Sequence, residues 1–324
     1  MLVNPLVSIV VPNYNHAKYL SQRLDSVFNQ TYKNFEVILL DDLSRDNSIE
    51  ILDSYQDESI THRIYNKENS GSTFKQWKKG LEVAKGELVW IAESDDWAEV
   101  TFLEKMVQAF LENENVVLVY TDLCNVDENG YELGEGLHYN YDAFGKENYY
   151  EKGVEYIKNF MLIGNSIVNA SGVVFKKELG IKHIDKVLNY RMAGDWLFWN
   201  NLLLEENAHV YFRGKEKLNY FRHSLQSTRN YLTIEKKERG LIEKVDVIFF
   251  TIKMLELENE KLEVKKREML DWWSKDHSIK EALRDSFRSV LTTEMFQDVN
   301  AISLYKHYIK YKIKNISLIK ALRI

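Results

Sequence analysis

Short apolar runs alternate with segments of helical spacing through the first third of the chain. Runs rich in β-branched and aliphatic residues predict buried strands at residues 6–11, 35–40, 60–65 and 88–92. Between these runs, apolar residues recur every three to four positions and predict helices at about 17–29, 45–55 and 73–84. This alternation of strands and helices predicts an α/β fold with an open, mostly parallel sheet.

The pattern is less regular after residue 112 and changes again near residue 230. Further strands are predicted at residues 116–120, 172–175, 209–212 and 218–223, with an aromatic helix at 196–204. From about residue 233, long charged segments keep helical spacing and contain no run typical of a strand. We therefore predict one domain over residues 1–230 and a C-terminal helical appendage over residues 231–324.

Polar loops follow three of the predicted strands at residues 12–16, 41–44 and 93–96. Ligands of open α/β sheets bind beyond the carboxyl ends of the strands, so we expect these loops to form one site. The third loop contains Glu93, Asp95 and Asp96, which repel one another unless a positive charge lies among them. A hard divalent cation suits their oxygen ligands. The alternative is a helix N-cap supplied by Asp96 or Thr101.

Composition narrows the class of protein but does not select a function. The 324 residues are 45% apolar and carry a net charge of −6, which gives no reason to expect nucleic acid as a partner. A single cysteine, Cys124, excludes an intramolecular disulfide and fits a reducing compartment. We see neither a signal-peptide pattern nor an uncharged apolar stretch of membrane-spanning length.

Four motifs in this order resemble the signatures of family-two glycosyltransferases, which are nucleotide-sugar-dependent enzymes with the A-type fold. They are Val7-Ser8-Ile9-Val10-Val11-Pro12-Asn13-Tyr14-Asn15, Asp41-Asp42-Leu43-Ser44, Asn69-Ser70-Gly71, and Gly86-Glu87 with Glu93-Ser94-Asp95-Asp96. The resemblance covers residues 5 to about 112 strongly and 166 to about 228 more loosely. It implies a Rossmann-like, nucleotide-binding sheet and a glycosyltransferase catalytic domain over residues 1–230.

The resemblance implies that the first two loops hold the base and ribose of the sugar donor. Pro12 and Tyr14 would line the base pocket, and Asp42 or Asp41 would accept a hydrogen bond from the base's ring N–H. The alternative for the two aspartates is a helix N-cap pair. Further donor contacts are predicted at Asn15, Ser44, Asn69, Gly71, Glu93, Ser94, Arg222 and His223, and at Lys75 or Lys78, whose alternative is a solvated helix face.

The family's metal motif is Asp-x-Asp, whereas this chain has Glu93-Ser94-Asp95. We predict Asp95 as the main ligand of Mg²⁺ or Mn²⁺, which would bridge the donor's diphosphate. Glu93 is longer by one methylene, so we place it at the metal site through the ribose or a metal-bound water. Asp96 is predicted behind these residues or near the acceptor sugar.

Gly194-Asp195-Trp196 resembles the family's acid at a helix start. The resemblance implies that Asp195 takes the proton from the acceptor hydroxyl as its oxygen attacks the anomeric carbon opposite the leaving diphosphate, which inverts the configuration. Asp195 could also be an N-cap, and the two roles are compatible. Trp196 is predicted on the acceptor side.

Residues 301–324 contain no acid and alternate basic with apolar side chains. This pattern predicts an amphipathic helix that lies on an anionic membrane surface, or packs on its own domain or a second subunit.

Together these features predict an inverting, metal-dependent transferase that uses a nucleotide-diphosphate sugar, UDP-linked, and a glycan or lipid-linked glycan acceptor. The implied setting is bacterial surface-polysaccharide synthesis, in the cytoplasm or peripherally at the inner face of the membrane. One alternative is a sugar nucleotidyltransferase, which the absence of glycine from residues 12–16 disfavours. Another is an inactive nucleotide-sugar-binding module, which Glu93 suggests.

Overall fold

The computed structural model describes residues 3–133, 147–162, 164–222 and 234–256. The chain divides into two compact units, Met1–Met161 with Asn165–Thr228, and Leu162–Gly164 with Arg229–Ile324. The first unit contains the sheet and the predicted site. In the second unit, the described part is mainly the helix Ile234–Met254, which lies within the predicted helical appendage.

Strands and helices alternate as predicted through residue 112, with ends that differ by a few residues. The elements are β1 Val7–Asn13, α1 Ala17–Phe28, β2 Phe35–Asp41, α2 Ser48–Ser54, β3 Ile60–Tyr65, α3 Thr73–Val83, β4 Leu88–Ile91, β5 Trp97–Ala98 and α4 Phe102–Glu112. The two-residue β5 was not predicted, because so short a strand has no periodicity to detect.

The second part of the sheet is less regular. Its elements are β6 Val116–Val126, β7 Tyr149–Lys152, α5 Gly153–Tyr156, a π-turn Ile157–Met161, a 3₁₀ turn Ala170–Gly172, β8 Val173–Lys176, α6 Lys177–His183, a 3₁₀ turn Ile184–Val187, α7 Gly194–Leu203 and β9 His209–Arg222; the helix Ile234–Met254 is α8. The two strands predicted at 209–212 and 218–223 are one strand. The polar residues between them hid its continuity, and its pairing with β6 continues through register shifts between Thr121 and Leu123.

All nine strands belong to one sheet of order β3-β2-β1-β4-β8-β6-β9-β5, with β7 on β9. Strands β1 to β4 pair in parallel, and this confirms the α/β class. The second half is mixed, because β8 runs antiparallel to both β4 and β6 while β6 and β9 are parallel. The parallel half therefore presents the carboxyl ends of β1, β2 and β4 at one edge.

The core lies on both faces of the central strands. Every residue of β1 and of β4 is buried, as expected for strands covered by helices on either side. Helix α3 approaches β1 closely, because an added Cβ at Gly80 would clash with the side chain of Val10. This approach brings the first turn of α3 next to the ends of the strands. Within the described ranges, no helix is both long and apolar enough to cross a bilayer.

Candidate active site

The first two polar loops are locked together at the ends of β1 and β2. Asn13 pairs in register with Asp41, and its Nδ2 donates to Asp41 Oδ2 over 2.8 Å. The Ser44 amide and hydroxyl donate to Asp41 Oδ1 and Oδ2 over 2.8 and 2.6 Å, and the Asn15 amide donates to Ser44 Oγ over 2.8 Å. Asp41 is fully buried, so its carboxylate holds the two loops together. The Tyr14 side chain is 43% exposed beside them.

Asp42 holds the loop at residues 69–71. Its Oδ1 accepts hydrogen bonds from the Ser70 amide at 2.8 Å, Asn66 Nδ2 at 2.6 Å and Gln76 Nε2 at 3.0 Å, while Oδ2 accepts from Ser70 Oγ at 2.8 Å. Asn69 Nδ2 donates to the Asp42 carbonyl at 2.8 Å. The loop bends through Gly71, whose φ of +61° suits glycine. The structure thus joins the second and third motifs, and a bond from Asp42 or Asp41 to a nucleotide base stays a prediction.

Glu93 lies between the end of β4 and the first turn of α3. Its Oε1 accepts hydrogen bonds from Trp77 Nε1 over 2.8 Å and from Thr73 Oγ1 over 3.3 Å. Burial raises the pKa of Glu93 to about 7; the bond from Trp77 opposes this shift, and repulsion from Asp95 and Asp96 adds to it. Glu93 is therefore a less acidic group than the aspartate that the family has at this position.

The other residues of the acidic loop are tied to different neighbours. Ser94 is buried, and its hydroxyl lies 2.8 Å from His16 Nδ1 in the first loop. Asp96 is also buried, and its Oδ2 accepts from Asn169 Nδ2 over 2.9 Å. The Asp95 side chain is partly exposed. Among these three residues, Asp95 is the one with access to a ligand from solvent.

A buried arginine supports the acidic loop from below. Arg23 in α1 is fully buried, its Nε donates to the Glu93 carbonyl over 2.8 Å, and its guanidinium lies 5.4 Å from the centre of the Trp90 ring. Burial lowers the pKa of Arg23 to about 10, against the attraction of the acids above it. The positive charge expected among the acids is thus supplied in part by the protein itself.

Sequence analysis missed Arg23, although the chain carries a signal for it. Arg23 falls within the stripe of buried positions 20, 23, 24 and 27, which otherwise contains only leucine and valine. An arginine in an apolar stripe is unusual, because a buried charge requires a partner.

Asp195 lies in the first turn of α7. The helix begins at Gly194 with Ala193 as its N-cap, so Asp195 is not the N-cap residue that the alternative supposed. Asn165 Nδ2 donates to Asp195 Oδ2 over 2.9 Å. An added Cβ at Gly194 would lie 2.5 Å from Cε2 of Phe74 in α3, so only glycine permits this close approach.

The predicted acceptor role of Trp196 is wrong. Its side chain is only 2% exposed, and its Nε1 donates to the Met161 carbonyl over 2.9 Å. An indole buried in this way cannot present a face to a sugar, and it anchors the start of α7 instead. The Asp96 side chain is likewise buried, so it takes the position behind the other acids that the sequence allowed.

The first turn of α3 connects the donor loops with Asp195. Gln76 bonds Asp42, Trp77 bonds Glu93, and Phe74 packs against Gly194. The Phe74 and Trp77 rings meet edge to face with centroids 5.1 Å apart. The motifs of the two halves therefore meet around a single helical turn.

The chain was then compared with known proteins. The family model described as Glycosyl transferase family 2 matches residues 8–171, which is half of the chain. The chain belongs to glycosyl transferase family 2. This membership removes the sugar nucleotidyltransferase alternative.

Relatives and solved structures agree with this assignment. Glycosyltransferase GlyG of Streptococcus pneumoniae serotype 4 is 32% identical over 197 residues, which are 60% of this chain and 53% of GlyG; the chain thus spans about half of that relative. The S. aureus TarS 1–349 structure in complex with UDP covers 96% of this chain and 91% of its own, with a TM-score of 0.66 and 18% identity. A TarS 1–349 complex with UDP-GlcNAc covers 96% and 92%, with a TM-score of 0.63 and 17% identity. The mannosyltransferase PcManGT from Pyrobaculum calidifontis, in complex with GDP-Man and Mn²⁺, covers 96% and 87%, with a TM-score of 0.51 and 14% identity. At these identities the structures establish the fold alone.

The acidic loop of this family-two domain was tested for its fit to a divalent cation. Over the described part of the chain, no cluster of three or more His, Cys, Asp or Glu side chains is arranged to hold a metal. A cation that binds diphosphate needs only one or two protein carboxylates, because phosphate oxygens and water complete its shell. The partly exposed Asp95 beside Glu93 fits this kind of site.

The remaining predicted cation contacts are only partly described. Lys75 Nζ donates to the Ser70 carbonyl over 3.3 Å, which places Lys75 beside the third motif. Lys78 instead forms an ion pair with Asp185 over 2.7 Å. For Arg222 the structure describes the backbone at the end of β9. His223 and residues 301–324 lie outside the described residues.

Proposed function

We propose that this family-two domain is an inverting glycosyltransferase that moves one sugar from a UDP-linked donor to a hydroxyl of a glycan or lipid-linked glycan, in the synthesis of a bacterial surface polysaccharide. The observation that carries the proposal is the first turn of α3. It bonds Asp42 and Glu93 and packs against Gly194, so the donor loops and Asp195 border a common region. The TarS complexes with UDP and UDP-GlcNAc support the choice of nucleotide.

The donor would bind across the first three loops. The exposed ring of Tyr14 offers a face for the base, and the loop at 69–71 lies beside the Asp42 carboxylate. Because Asp41 and Asp42 already accept hydrogen bonds that tie the loops together, we assign them first to shaping the pocket. A base N–H would add to the bonds of Asp42.

We assign Asp95 as the protein ligand of Mg²⁺ or Mn²⁺. When bound, such a cation would neutralise charge on the diphosphate leaving group. Glu93, held by Trp77 and Thr73, would face the ribose or a water rather than bind the metal directly. Its raised pKa, about 7, weakens it as a ligand because a proton competes for the same oxygens.

Asp195 would act as the general base. Its carboxylate takes the proton from the acceptor O–H while the acceptor oxygen forms a bond to the anomeric carbon. The bond from that carbon to the diphosphate oxygen breaks, and the nucleoside diphosphate leaves with the electron pair. Because attack and departure occur on opposite faces, the anomeric configuration inverts.

Transfer assays with a panel of UDP- and GDP-sugars, with Mn²⁺ or Mg²⁺ present, test this function. We expect turnover with a UDP-sugar, and a fall in kcat of about 10³-fold in Asp195→Asn with donor binding unchanged. The matched control is Asp185→Asn, because Asp185 is an exposed aspartate paired with Lys78.

The outcomes separate the alternatives. Turnover only with GDP-sugars would replace UDP by the nucleotide seen in the PcManGT complex. Donor binding without hydrolysis or transfer by the wild-type protein would favour the inactive binding module. An Asp195→Asn variant with normal kcat would remove Asp195 as the base.

A further inference from the structure

Residues 165–171, here called the asparagine segment, contact acids from both halves of the site. Asn165 Nδ2 donates to Asp195 Oδ2, and Asn169 Nδ2 donates to Asp96 Oδ2, each over 2.9 Å. Ser171 Oγ accepts from the Glu93 amide over 3.1 Å. None of these three residues stands out in the sequence, yet together they connect the acidic loop with the start of α7.

The two asparagine amides have a fixed orientation. Asn165 Oδ1 accepts from the Ile167 amide over 3.0 Å, and Asn169 Oδ1 accepts from the Gly172 amide over 3.2 Å. A backbone N–H can only donate, so it bonds the amide oxygen and leaves the NH₂ group to face the carboxylate. Each asparagine therefore presents a donor, and not an acceptor, to its acid.

The asparagine segment is itself held by a buried chain of hydroxyl groups. Ser166 Oγ lies 2.7 Å from Tyr156 Oη, which lies 2.5 Å from Tyr120 Oη in β6. Ser166 and both tyrosines are buried. The backbone that carries Asn165 is thus anchored to the sheet, which gives its amide a firm position from which to hold Asp195.

We propose that Asn165 is a positioning residue for catalysis: its amide fixes the rotation of the Asp195 carboxylate toward the acceptor hydroxyl and stabilises the ionised form. This inference rests on the proposed role of Asp195 as general base. A hydrogen bond donated to a carboxylate favours its charged state, and it restricts the side chain to one direction. Asn165 would act on the transfer step and leave donor binding unchanged.

Several titratable side chains lie on the elements around this pair. They are Tyr156 on α5, Tyr190 and Arg191 in the loop before α7, and Glu93 and Asp96 on the other side of the asparagine segment. Their contribution to any pH profile is common to the wild type and its variants. A comparison of variants at residue 165 therefore isolates the effect of the Asn165 donor.

The test replaces the donor while keeping the shape of the side chain. Asn165→Asp retains an oxygen for the Ile167 amide but turns a carboxyl group toward Asp195. At pH 8 we expect kcat to fall by about 10- to 100-fold, while the dissociation constant of the UDP-sugar changes by less than about twofold. As the pH falls toward 6, the loss relative to wild type should narrow, since a protonated carboxyl can donate again.

Two further variants complete the experiment. Asn165→Leu should lose kcat to a similar extent without narrowing at low pH. Asn34→Asp is the control, because the Asn34 amide bonds the Asn4 carbonyl far from the site, and it should behave as wild type.

The inference fails if Asn165→Asp keeps the wild-type kcat across this pH range, or if kcat, donor affinity and melting temperature all fall together. The second result would make Asn165 a purely structural residue. An active Asp195→Asn variant would instead overturn the proposed function. An inactive Asp195→Asn variant with normal Asn165 variants would overturn this inference alone.

Discussion

The two halves of the catalytic unit build their parts of the site by different means. In the parallel half, the polar residues follow strands β1, β2 and β4, and they bond one another directly, as Asn13, Asp41 and Ser44 do. In the mixed half, one acid at the start of α7 is held by an asparagine that lies 30 residues earlier in the chain. Regular topology positions the first set, whereas individual contacts position the second.

The largest effect that would break this contrast is expected at Arg23, where the parallel half also depends on a single contact. Arg23→Met removes the charge beneath Glu93, Asp95 and Asp96 and the bond to the Glu93 carbonyl. We expect the free energy of unfolding to fall by about 3 kcal/mol, measured by urea denaturation, since the acids lose their buried counter-charge.

Lys18→Met is the control for Arg23→Met. Lys18 is exposed and lies 3.8 Å from Glu128, so its loss should cost less than about 0.5 kcal/mol. If Arg23→Met were as stable as this control, the acidic loop would not depend on the arginine.

The mixed half should be sensitive to the packing that places α7. In Gly194→Ala the new Cβ would lie 2.5 Å from Phe74 Cε2, and Trp77 stands behind that ring, so the helix start must move. We expect kcat to fall by about 10²-fold in a steady-state transfer assay, because displacement of the base by about 1 Å costs that much.

A second change would restore the space. Phe74→Leu combined with Gly194→Ala should recover part of kcat. Gly164→Ala is the control, since an added Cβ there meets no atom within 4 Å. An unchanged kcat in Gly194→Ala would show that the position of α7 is not set by this contact.

The smallest effect concerns the scaffold of the parallel half at Glu36 in β2. Burial alone would raise the pKa of Glu36, but hydrogen bonds from Ser8, the Lys85 amide and Thr61 outweigh burial and lower it. A pKa lower in the folded than in the unfolded state adds stability above the unfolded pKa, and this stability is lost as the pH falls through the folded value.

Glu36→Gln should therefore lower the free energy of unfolding by about 1 kcal/mol at pH 7, and the difference should shrink below about pH 4. Thermal denaturation as a function of pH measures it. Glu50→Gln, at an exposed position of α2, should show no such trend. A constant difference across the pH range would mean that the carboxylate charge of Glu36 is unimportant.

The same contrast explains how much the sequence could predict. The three loops were found because apolar runs end in polar residues, and the parallel sheet then brings those ends together. Arg23 and Asn169 were missed because their partners lie 70 and 73 residues away in the chain, and no periodicity reports such a bond. Trp196 was misassigned because an aromatic residue beside a catalytic acid looks the same in sequence whether it is buried or exposed.

The turn at Leu43 has a consequence for the thermodynamics of donor binding. Asn15 and Leu43 adopt φ values of 55° and 65°, a backbone shape that costs about 1 kcal/mol without glycine and persists only where surrounding bonds enforce it. The pocket walls are thus rigid before any nucleotide arrives. Calorimetry should record binding with little entropic penalty for loop ordering, and a heat-capacity change set by the surface that the nucleotide covers.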